Sequence, residues 1–577
     1  MKLAFVGAIV ALAAGKAFGG LGPENVALVL NGDSPDSVSV ANEYKRLREI
    51  PEGNVIVLHH LSATEFINVE QFRQEILLPV LKTIQSRGLS AQIDCITYSV
   101  DIPYSINIAS DVKGKPMPQV LTQTASVNGL TYLMDWSAKG DIAYLGLTTN
   151  RYARHFLPLP KGSDLTTDEQ SAYAVAMSQY DQHNYRPAME GLSKLLQVPR
   201  TDPNIAYNLA CCQALSRMPD DAIRSLRMAV AAGWRNFGQT SSDPDLASLK
   251  SDDRFQQVLR VLRGSRIDVQ PGVGFSHQVG WDRSGEVDPS GFHYMLSTVL
   301  GVTAGRGNTV DEIIQSLRRS KAADFTHPAG TIYFERNGDV RSTTREWGFQ
   351  PAADALNAMG VKAVVEDGLL PQHRTDVAGA TIGISDFDWP KSGSTMLPGA
   401  IAEHLTSFGG MINKGAGQTP CTEFIRNGAS GSSGTVTEPF ALQEKFPTPF
   451  IHVQYAKGFT LAESFYLSLA GPYQLLIIGD PLCRPWAKRV EVKLKGIAEG
   501  QTVSGRLTIS PSVLPTVQVR QFIVYFDGKR TTVSQRGPSL ILDTTKLPHG
   551  RHEVAIVAET ADPSAAQYRS AVSLNFK

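Results

Sequence analysis

The chain has 577 residues, of which 42% are hydrophobic and 19% are charged. This composition is ordinary for folded protein and excludes an extended disordered chain. Lys and Arg together number 55, as do Asp and Glu, so no basic excess indicates nucleic acid or an anionic membrane surface as a partner. A chain of this length is too long for one hydrophobic core and predicts several domains.

The first residues are typical of a secretory signal peptide. Lys2 supplies one positive charge, an apolar run follows over 3–14, and small residues lie around Ala17 and Gly19. We therefore predict a signal peptide over 1–19 and an exported chain, in the periplasm, in the cell envelope or outside the cell. A buried N-terminal helix or strand is the alternative. No later segment is apolar over the ~18 residues that span a bilayer, so we expect no transmembrane segment in the mature chain.

The five cysteines match neither a zinc cluster nor a dense disulfide framework, and most are expected to be small core residues. They are Cys95, Cys211, Cys212, Cys421 and Cys483. The sequence also lacks a Walker A loop, an H-E-x-x-H motif and a G-x-S-x-G elbow. We therefore expect no cofactor and no metal.

Short apolar runs alternate with helical patterns over 24–160. The runs are 26–31, 54–58 and 93–100, and the alternation predicts a parallel, doubly wound sheet. Ligands of such sheets gather at the carboxyl ends of the strands. The polar residues at those ends are Asn31, Asp33, His59, His60 and Asp101.

A wholly helical pattern with an internal repeat covers 166–264. Tyr173 and Tyr207, Ala188 and Ala222, and Leu192 and Leu226 are each separated by the 34-residue period of the tetratricopeptide repeat. A plain helical hairpin is the alternative. A tetratricopeptide-like module would bind a protein or peptide partner through its helical repeats.

The α/β pattern resumes over 265–488, so the helical module is interpreted as an insertion into one α/β domain. Within this part, the glycine-rich segments 301–307 and 428–434 are predicted to form tight turns and to allow close packing. Over 489–577, short alternating strands separated by turns such as Asp527-Gly528 predict an immunoglobulin- or fibronectin-like β-sandwich.

Several motifs carry a resemblance to known proteins. They are Asn25-Val26, 36–41, Thr406-Ser407-Phe408-Gly409-Gly410, 428–440, 459–466 and Gly479-Asp480-Pro481-Leu482. Over 24–160 and 265–488 the chain resembles an uncharacterised family of secreted bacterial proteins that is frequent in planctomycetes. That family is distantly similar to the gingipain-type cysteine peptidase domain. The resemblance implies a caspase-like fold, in which a His-Gly pair and a Cys at neighbouring strand ends form the catalytic dyad.

This sequence departs from that dyad. Its only His-Gly pair, His549-Gly550, lies in the C-terminal β-domain, outside the resemblance. Ser407 stands where the nucleophilic Cys would fall, and Cys421 follows Pro420 at the start of a predicted helix.

The candidates for catalysis are therefore Ser407 or Cys421 as nucleophile. Asp386, Asp388 or His404 would be the partner, although a strand would direct His404 and Ser407 to opposite faces. Asp101 and Glu438, at predicted strand ends, are candidate binding residues; each could equally cap a loop through backbone hydrogen bonds.

The favoured function is that of an exported, non-catalytic pseudo-peptidase scaffold or binding protein of the cell envelope, which engages protein or peptide partners. The alternative is a hydrolase or peptidase that uses Ser407 or Cys421. A purely structural envelope component is a third possibility, and it predicts no concave cleft near Asp101 and Ser407.

Overall fold

The computed structural model describes residues 20–577 except 116, 118–119, 154–164, 198–201, 233, 235, 264–274, 283–286, 347, 414–416, 534–538 and 563. The predicted signal peptide therefore lies outside the described residues. The chain divides into two compact units, one comprising Met1–Ala153 and Pro271–Lys577, the other Arg154–Gln270. Within the described part of the chain, no helix combines the length and the apolar character needed to cross a membrane.

The first part of the larger unit alternates strands and helices. Its elements are β1 Val26–Asn31, α1 Pro35–Arg48, β2 Val55–Leu58, β3 Phe66–Asn68, α2 Val69–Gln71, a π-helical turn Phe72–Leu77, α3 Leu78–Ser86, β4 Cys95–Tyr98, β5 Ser105–Asn107, β6 Thr124–Ser126, α4 Val127–Tyr132 and α5 Met134–Ser137. The helix α1 begins where the side chain of Ser34 accepts a hydrogen bond from the backbone N–H of Ser37, which satisfies one of the free donors of the first turn. Every residue of β1 is buried, as expected for an interior strand.

The smaller unit is built from helices. They are α6 Thr167–Asp181, α7 Tyr185–Leu195, α8 Pro203–Leu215, α9 Pro219–Ala231, α10 Phe237–Ser242 and α11 Asp253–Arg263. Ala188 of α7 and Ala222 of α9, which are one sequence period apart, are both fully buried. A side-chain carbon placed on Gly191 would lie 2.9 Å from Cβ of Ala176, so small residues let α6 and α7 approach closely.

The larger unit continues with β7 Leu296–Val299, α12 Val310–Ala323, β8 Thr331–Arg336, α13 Val340–Glu346, α14 Phe349–Ala358, β9 Lys362–Asp367, β10 Val377–Ile382, β11 Met396–His404, α15 Thr422–Arg426, β12 Gly431–Thr435, α16 Ile451–Ala456, α17 Leu461–Ser468 and β13 Leu475–Gly479. A ten-stranded sheet has the order β2-β1-β4-β7-β13-β12-β11-β10-β8-β9. Because β4 pairs with β7, with Cys95 opposite Leu296, strands from both sides of the helical unit share one sheet.

The sheet is mixed, whereas the sequence predicted a parallel one. The strands β12 and β13 are antiparallel, with Gly431 opposite Gly479. Two helices, α16 and α17, separate these strands in the chain. The strands β8 and β9 are also separated by two helices, α13 and α14, and yet they are parallel, so the number of helices in the connection does not set the direction of the next strand. The sequence pattern identified the final strand but not the direction in which it runs.

The glycine-rich segment 428–434 was predicted to be a turn, and that prediction is wrong for most of its length. Gly431–Thr435 is the buried strand β12 in the interior of the sheet. A side-chain carbon on Gly434 would lie 2.2 Å from the carbonyl carbon of Gly409. The glycine is therefore required for close packing, as expected, but within a strand.

The C-terminal region consists of strands. They are β14 Lys493–Lys495, β15 Thr502–Val503, β16 Arg506–Ser512, β17 Val519–Phe526, β18 Lys529–Val533, β19 Leu540–Asp543, β20 Gly550–Thr560 and β21 Gln567–Phe576. They form two sheets, β14-β16-β19 and β15-β21-β20-β17-β18. Ile509 of the first sheet and Ile556 and Leu574 of the second belong to one buried apolar cluster, so the region is sandwich-like.

Candidate functional site

Three predicted site residues follow neighbouring strands of the large sheet. Asp386 follows β10, Ser407 follows β11 and Glu438 follows β12. Both β10 and β12 pair with β11 in the parallel direction. Since neighbouring strands are ~5 Å apart, the loops that carry the three residues leave the same edge of the sheet side by side. This edge is the candidate functional site.

The backbone around Ser407 is held firmly by its neighbours. The side-chain oxygen of Gln418 accepts hydrogen bonds from the hydroxyl of Thr406 at 2.6 Å and from the backbone N–H of Phe408 at 2.9 Å. The hydroxyl of Thr435 donates to the carbonyl of Ser407 at 3.1 Å. The hydroxyl of Ser407 itself has no hydrogen bond to any described residue, so no described side chain is placed to take its proton.

His404, the last residue of β11, is enclosed rather than available as a base. Its imidazole is fully buried, and the ring centroids of Phe387 and Phe424 lie 5.4 and 5.3 Å from its own. Neither ring nitrogen has a hydrogen-bond partner among the described residues. Burial, reinforced by the charge of Arg345, lowers the pKa of His404 to about 3. The ring is therefore neutral, but it makes no contact through which it could activate Ser407.

Cys421 lies just before α15, as predicted. Its backbone N–H donates to the carbonyl of Gly409 at 2.8 Å, and its thiol is fully buried. Burial raises the pKa of the thiol to about 12, so the reactive thiolate is scarce at neutral pH. The four other cysteines are also free and buried, which confirms that they are core residues.

The acidic candidates at this edge have their own structural roles or face solvent. Asp388 pairs with Lys391 at 2.8 Å, and Asp386 is exposed. A carboxylate oxygen of Glu438 accepts from the backbone N–H of Phe440 at 2.8 Å, as in a loop cap. None of the three hydrogen-bonds to Ser407 within the described residues.

Asp101 ties together three loops at the end of β4. Its carboxylate accepts from the hydroxyls of Ser34 at 2.5 Å and Thr303 at 2.6 Å, and its carbonyl accepts from the side-chain amide of Asn31. Its backbone is left-handed, with a φ of 56°. These bonds hold a conformation that is costly for any residue other than glycine.

The remaining strand-end residues lie further from Ser407. One carboxylate oxygen of Asp33 is hydrogen-bonded to Nδ1 of His59 at 2.8 Å, and the other accepts a hydrogen bond from the backbone N–H of His60 at 2.6 Å. By the strand order, β4 is four strands from β11 and β2 is six strands from it. At ~5 Å per strand, Asp101 and His59 are too far from Ser407 to share one catalytic centre.

Arg306 is the residue at this edge that the sequence analysis missed. Its guanidinium donates to the carbonyls of Met411 at 3.1 Å, Asn413 at 3.3 Å and Gln418 at 2.6 Å. It therefore holds the segment whose Gln418 side chain fixes the Ser407 turn. The only sequence signal was its position in the glycine-rich segment 301–307, which follows β7.

Comparisons with known proteins give no family. No protein-family model matches the chain, and no curated protein matches it. Among solved structures, the fibronectin(III)-like modules of Clostridium thermocellum CbhA are 14% identical, and the match covers 15% of this chain and 96% of theirs with a TM-score of 0.14. The endo-beta-1,4-mannanase from Thermotoga petrophila is 8% identical, and the match covers 65% of this chain and 76% of the mannanase with a TM-score of 0.14. A chitin binding domain from Burkholderia pseudomallei is 16% identical, and the match covers 14% of this chain and 57% of that domain's chain with a TM-score of 0.10. Scores this low carry no inference about fold or function.

Proposed function

We propose that this chain is an exported, non-catalytic pseudo-peptidase that binds protein or peptide partners at the cell envelope. The observation that carries the proposal is that Ser407, at the strand end where the nucleophile would stand, has no base within hydrogen-bond reach among the described residues. His404 is enclosed by aromatic rings, and Cys421 is a buried thiol with a raised pKa.

A caspase-type, gingipain-like origin of the large sheet is part of this proposal. Its support is the large sheet of mostly parallel pairs and the placement of Asp386 and Ser407 after the neighbouring strands β10 and β11. In the resemblance, a His and a Cys stand at neighbouring strand ends, and Ser407 takes the position of the Cys. In this chain an exposed carboxylate and a hydroxyl lie at two neighbouring strand ends, and together they do not form a base–thiolate pair.

The helical unit is proposed to be the partner-binding module, with a tetratricopeptide-like construction. Its support is the recurrence of buried Ala188 and Ala222 at the repeat period in α7 and α9. Val175 of α6, 64% exposed, and Met228 of α9, 42% exposed, supply apolar surface that a peptide could cover. The sandwich-like C-terminal region is proposed to be immunoglobulin-like and to act as a spacer or an anchor.

Labelling with serine- and thiol-reactive probes tests the non-catalytic part of the proposal. We expect the folded wild type to be labelled no more than Ser407→Ala, Cys421→Ala and the control Ser385→Ala, because the native serine and thiol are not activated. Specific labelling of the wild type that disappears in Ser407→Ala or in Cys421→Ala would instead establish the hydrolase alternative.

Peptide selection tests the binding part. Peptides displayed on phage are selected against the wild-type chain, and their affinities are then compared with those for Val175→Glu and for the control Val340→Glu, whose side chain is 56% exposed on α13. We expect Val175→Glu to weaken binding and Val340→Glu to leave it unchanged, because a charge interrupts an apolar contact. Equal affinity for both variants would exclude the α6 surface as the binding site.

A further inference from the structure

A cavity of about 210 Å³ opens within the larger unit, away from the Ser407 edge. Its walls come from the segment before β1, the ends of α1 and α12, the segment after β13 and the C-terminal strands. The charged residues that line it include Glu24, Arg48, Lys321, Asp324, Arg484 and Arg569. The pairing of these charges determines what the cavity can bind.

Two of the arginines are neutralised by carboxylates. Arg48 is buried and forms ion pairs with Asp324 and Asp480. Arg569 pairs with Glu24 at 2.6 Å and with Glu49 at 2.6 Å. Buried charges are stable when they are paired in this way. These two arginines are therefore part of the structural framework of the cavity.

Arg484 has no such carboxylate partner among the described residues. Its guanidinium lies over the neighbouring rings of Phe325 and Tyr568, with 5.1 Å to each centroid. Among the described residues, the guanidinium makes one hydrogen bond, from Nη2 to the carbonyl of Gln567 at 2.5 Å. Burial lowers the pKa of Arg484, as expected where desolvation is not fully offset by neighbouring charges. The two rings cover part of the guanidinium, and its other donors have no acceptor among the described residues.

Lys321 supplies a second cation with free donors. Its side chain is 47% exposed, and its Nζ lies 3.9 Å from a carboxylate oxygen of Asp324 that already binds Arg48. Desolvation lowers its pKa, as does the nearby charge of Arg48. The cavity thus has a buried guanidinium, Arg484, on one element and a half-exposed ammonium, Lys321, on another.

We infer that this cavity binds a small oxyanion, a carboxylate or a phosphate, through Arg484 and Lys321. Two oxygens of such a group match the planar fork of a guanidinium. A lysine contributes a point charge that adapts to either geometry. This site is independent of the proposed pseudo-peptidase function, since it uses none of the Ser407 edge.

Calorimetric titration at constant ionic strength tests the inference, with inorganic phosphate and acetate as probes. We expect one of them to bind the wild-type chain, and Lys321→Gln and Arg484→Gln to bind at least ~10-fold more weakly, because each variant removes a charge-assisted hydrogen bond. The control Lys391→Gln, which removes an exposed lysine elsewhere, should bind like the wild type.

The outcomes separate the two ligand classes. Binding of phosphate without acetate identifies a phosphate site, and binding of acetate without phosphate identifies a carboxylate site. No binding of either probe to the wild type, or an unchanged affinity in Lys321→Gln, would overturn the inference. The lysine variant decides the test if Arg484→Gln fails to fold, because Lys321 is half-exposed and packs little surface.

Discussion

Glu335 is a buried carboxyl group whose replacement should stabilise the protein. Glu335 lies on β8 directly opposite Glu366 of β9 and is only 1% exposed. One of its carboxylate oxygens has no hydrogen-bond partner among the described residues. Arg374, whose charge acts on Glu335, binds Glu366 instead, at 2.9 Å. Burial, and then the charge of Glu366, raise the pKa of Glu335 to about 8.

The sign of the effect follows from proton linkage. Above about pH 4.5 the unfolded chain releases the proton of Glu335, whereas the folded chain retains it up to about pH 8. The stability contributed by the protonated group is therefore present below pH 4.5 and is lost as the pH rises toward 8. At ~1.4 kcal/mol per pH unit, the loss at pH 7 is about 3 kcal/mol, and at pH 5 it is about 1 kcal/mol.

Glu335→Gln removes this cost, because the amide does not titrate and can donate to Glu366. We expect the free energy of unfolding to rise by about 3 kcal/mol at pH 7 and by about 1 kcal/mol at pH 5. Urea unfolding followed by tryptophan fluorescence at both pH values measures the change. The exposed Glu70→Gln serves as the control and should change little. A loss of stability at pH 7, or an equal gain at the two pH values, would refute the reasoning.

Three further predictions concern the same half of the sheet. Between pH 7 and 5, the free energy of unfolding of the wild type, measured with urea, should fall by about 2 kcal/mol more than that of His404→Leu. The unfolded imidazole takes up a proton below its ordinary pKa, near 6.5, whereas the buried ring stays neutral. Arg345→Met should lower the free energy of unfolding by about 3–5 kcal/mol, because it leaves the buried carboxylate of Glu403 without its ion-pair partner. The double variant Arg345→Met with Glu403→Gln should regain most of that stability, and equal losses in the single and double variants would contradict the pairing. Gly434→Ala should lower the melting temperature while Gly53→Ala, where an added carbon meets nothing within 4 Å, should not; similar melting temperatures would contradict the close packing.

The apolar strands of the large sheet could be predicted from sequence, because each is a short apolar run next to a helical pattern. β1, β4 and β13 are buried runs of this kind, and β2, at the edge of the sheet, is apolar but partly exposed. β12 could not, since its glycines and serines have low intrinsic strand propensity and are placed by packing between β11 and β13.

The candidate site was predictable only in part. The resemblance gave the position of Ser407 after a strand, and Asp386 was only one of three candidate partners; the pairing of their strands, β10 and β11, comes from the structure. The enclosure of His404 depends on Phe387, in the loop after β10, and on Phe424 of α15, which are far apart in the sequence and leave no local pattern. Arg306 acts through backbone carbonyls, which every residue possesses, so its partners carry no sequence signal.

The position of β13 determines when the large sheet can be completed during folding. Leu475–Gly479 is the last strand of the large sheet to be synthesised, yet it lies in the middle, between β7 and β12. Before β13 is synthesised, the other strands can form only two partial sheets, one of four strands and one of five. Each partial sheet has an unpaired edge where β13 will bind, and unpaired edges favour pairing with other chains. A chain truncated shortly before Leu475 should therefore aggregate, whereas one truncated beyond the strand can still close the sheet.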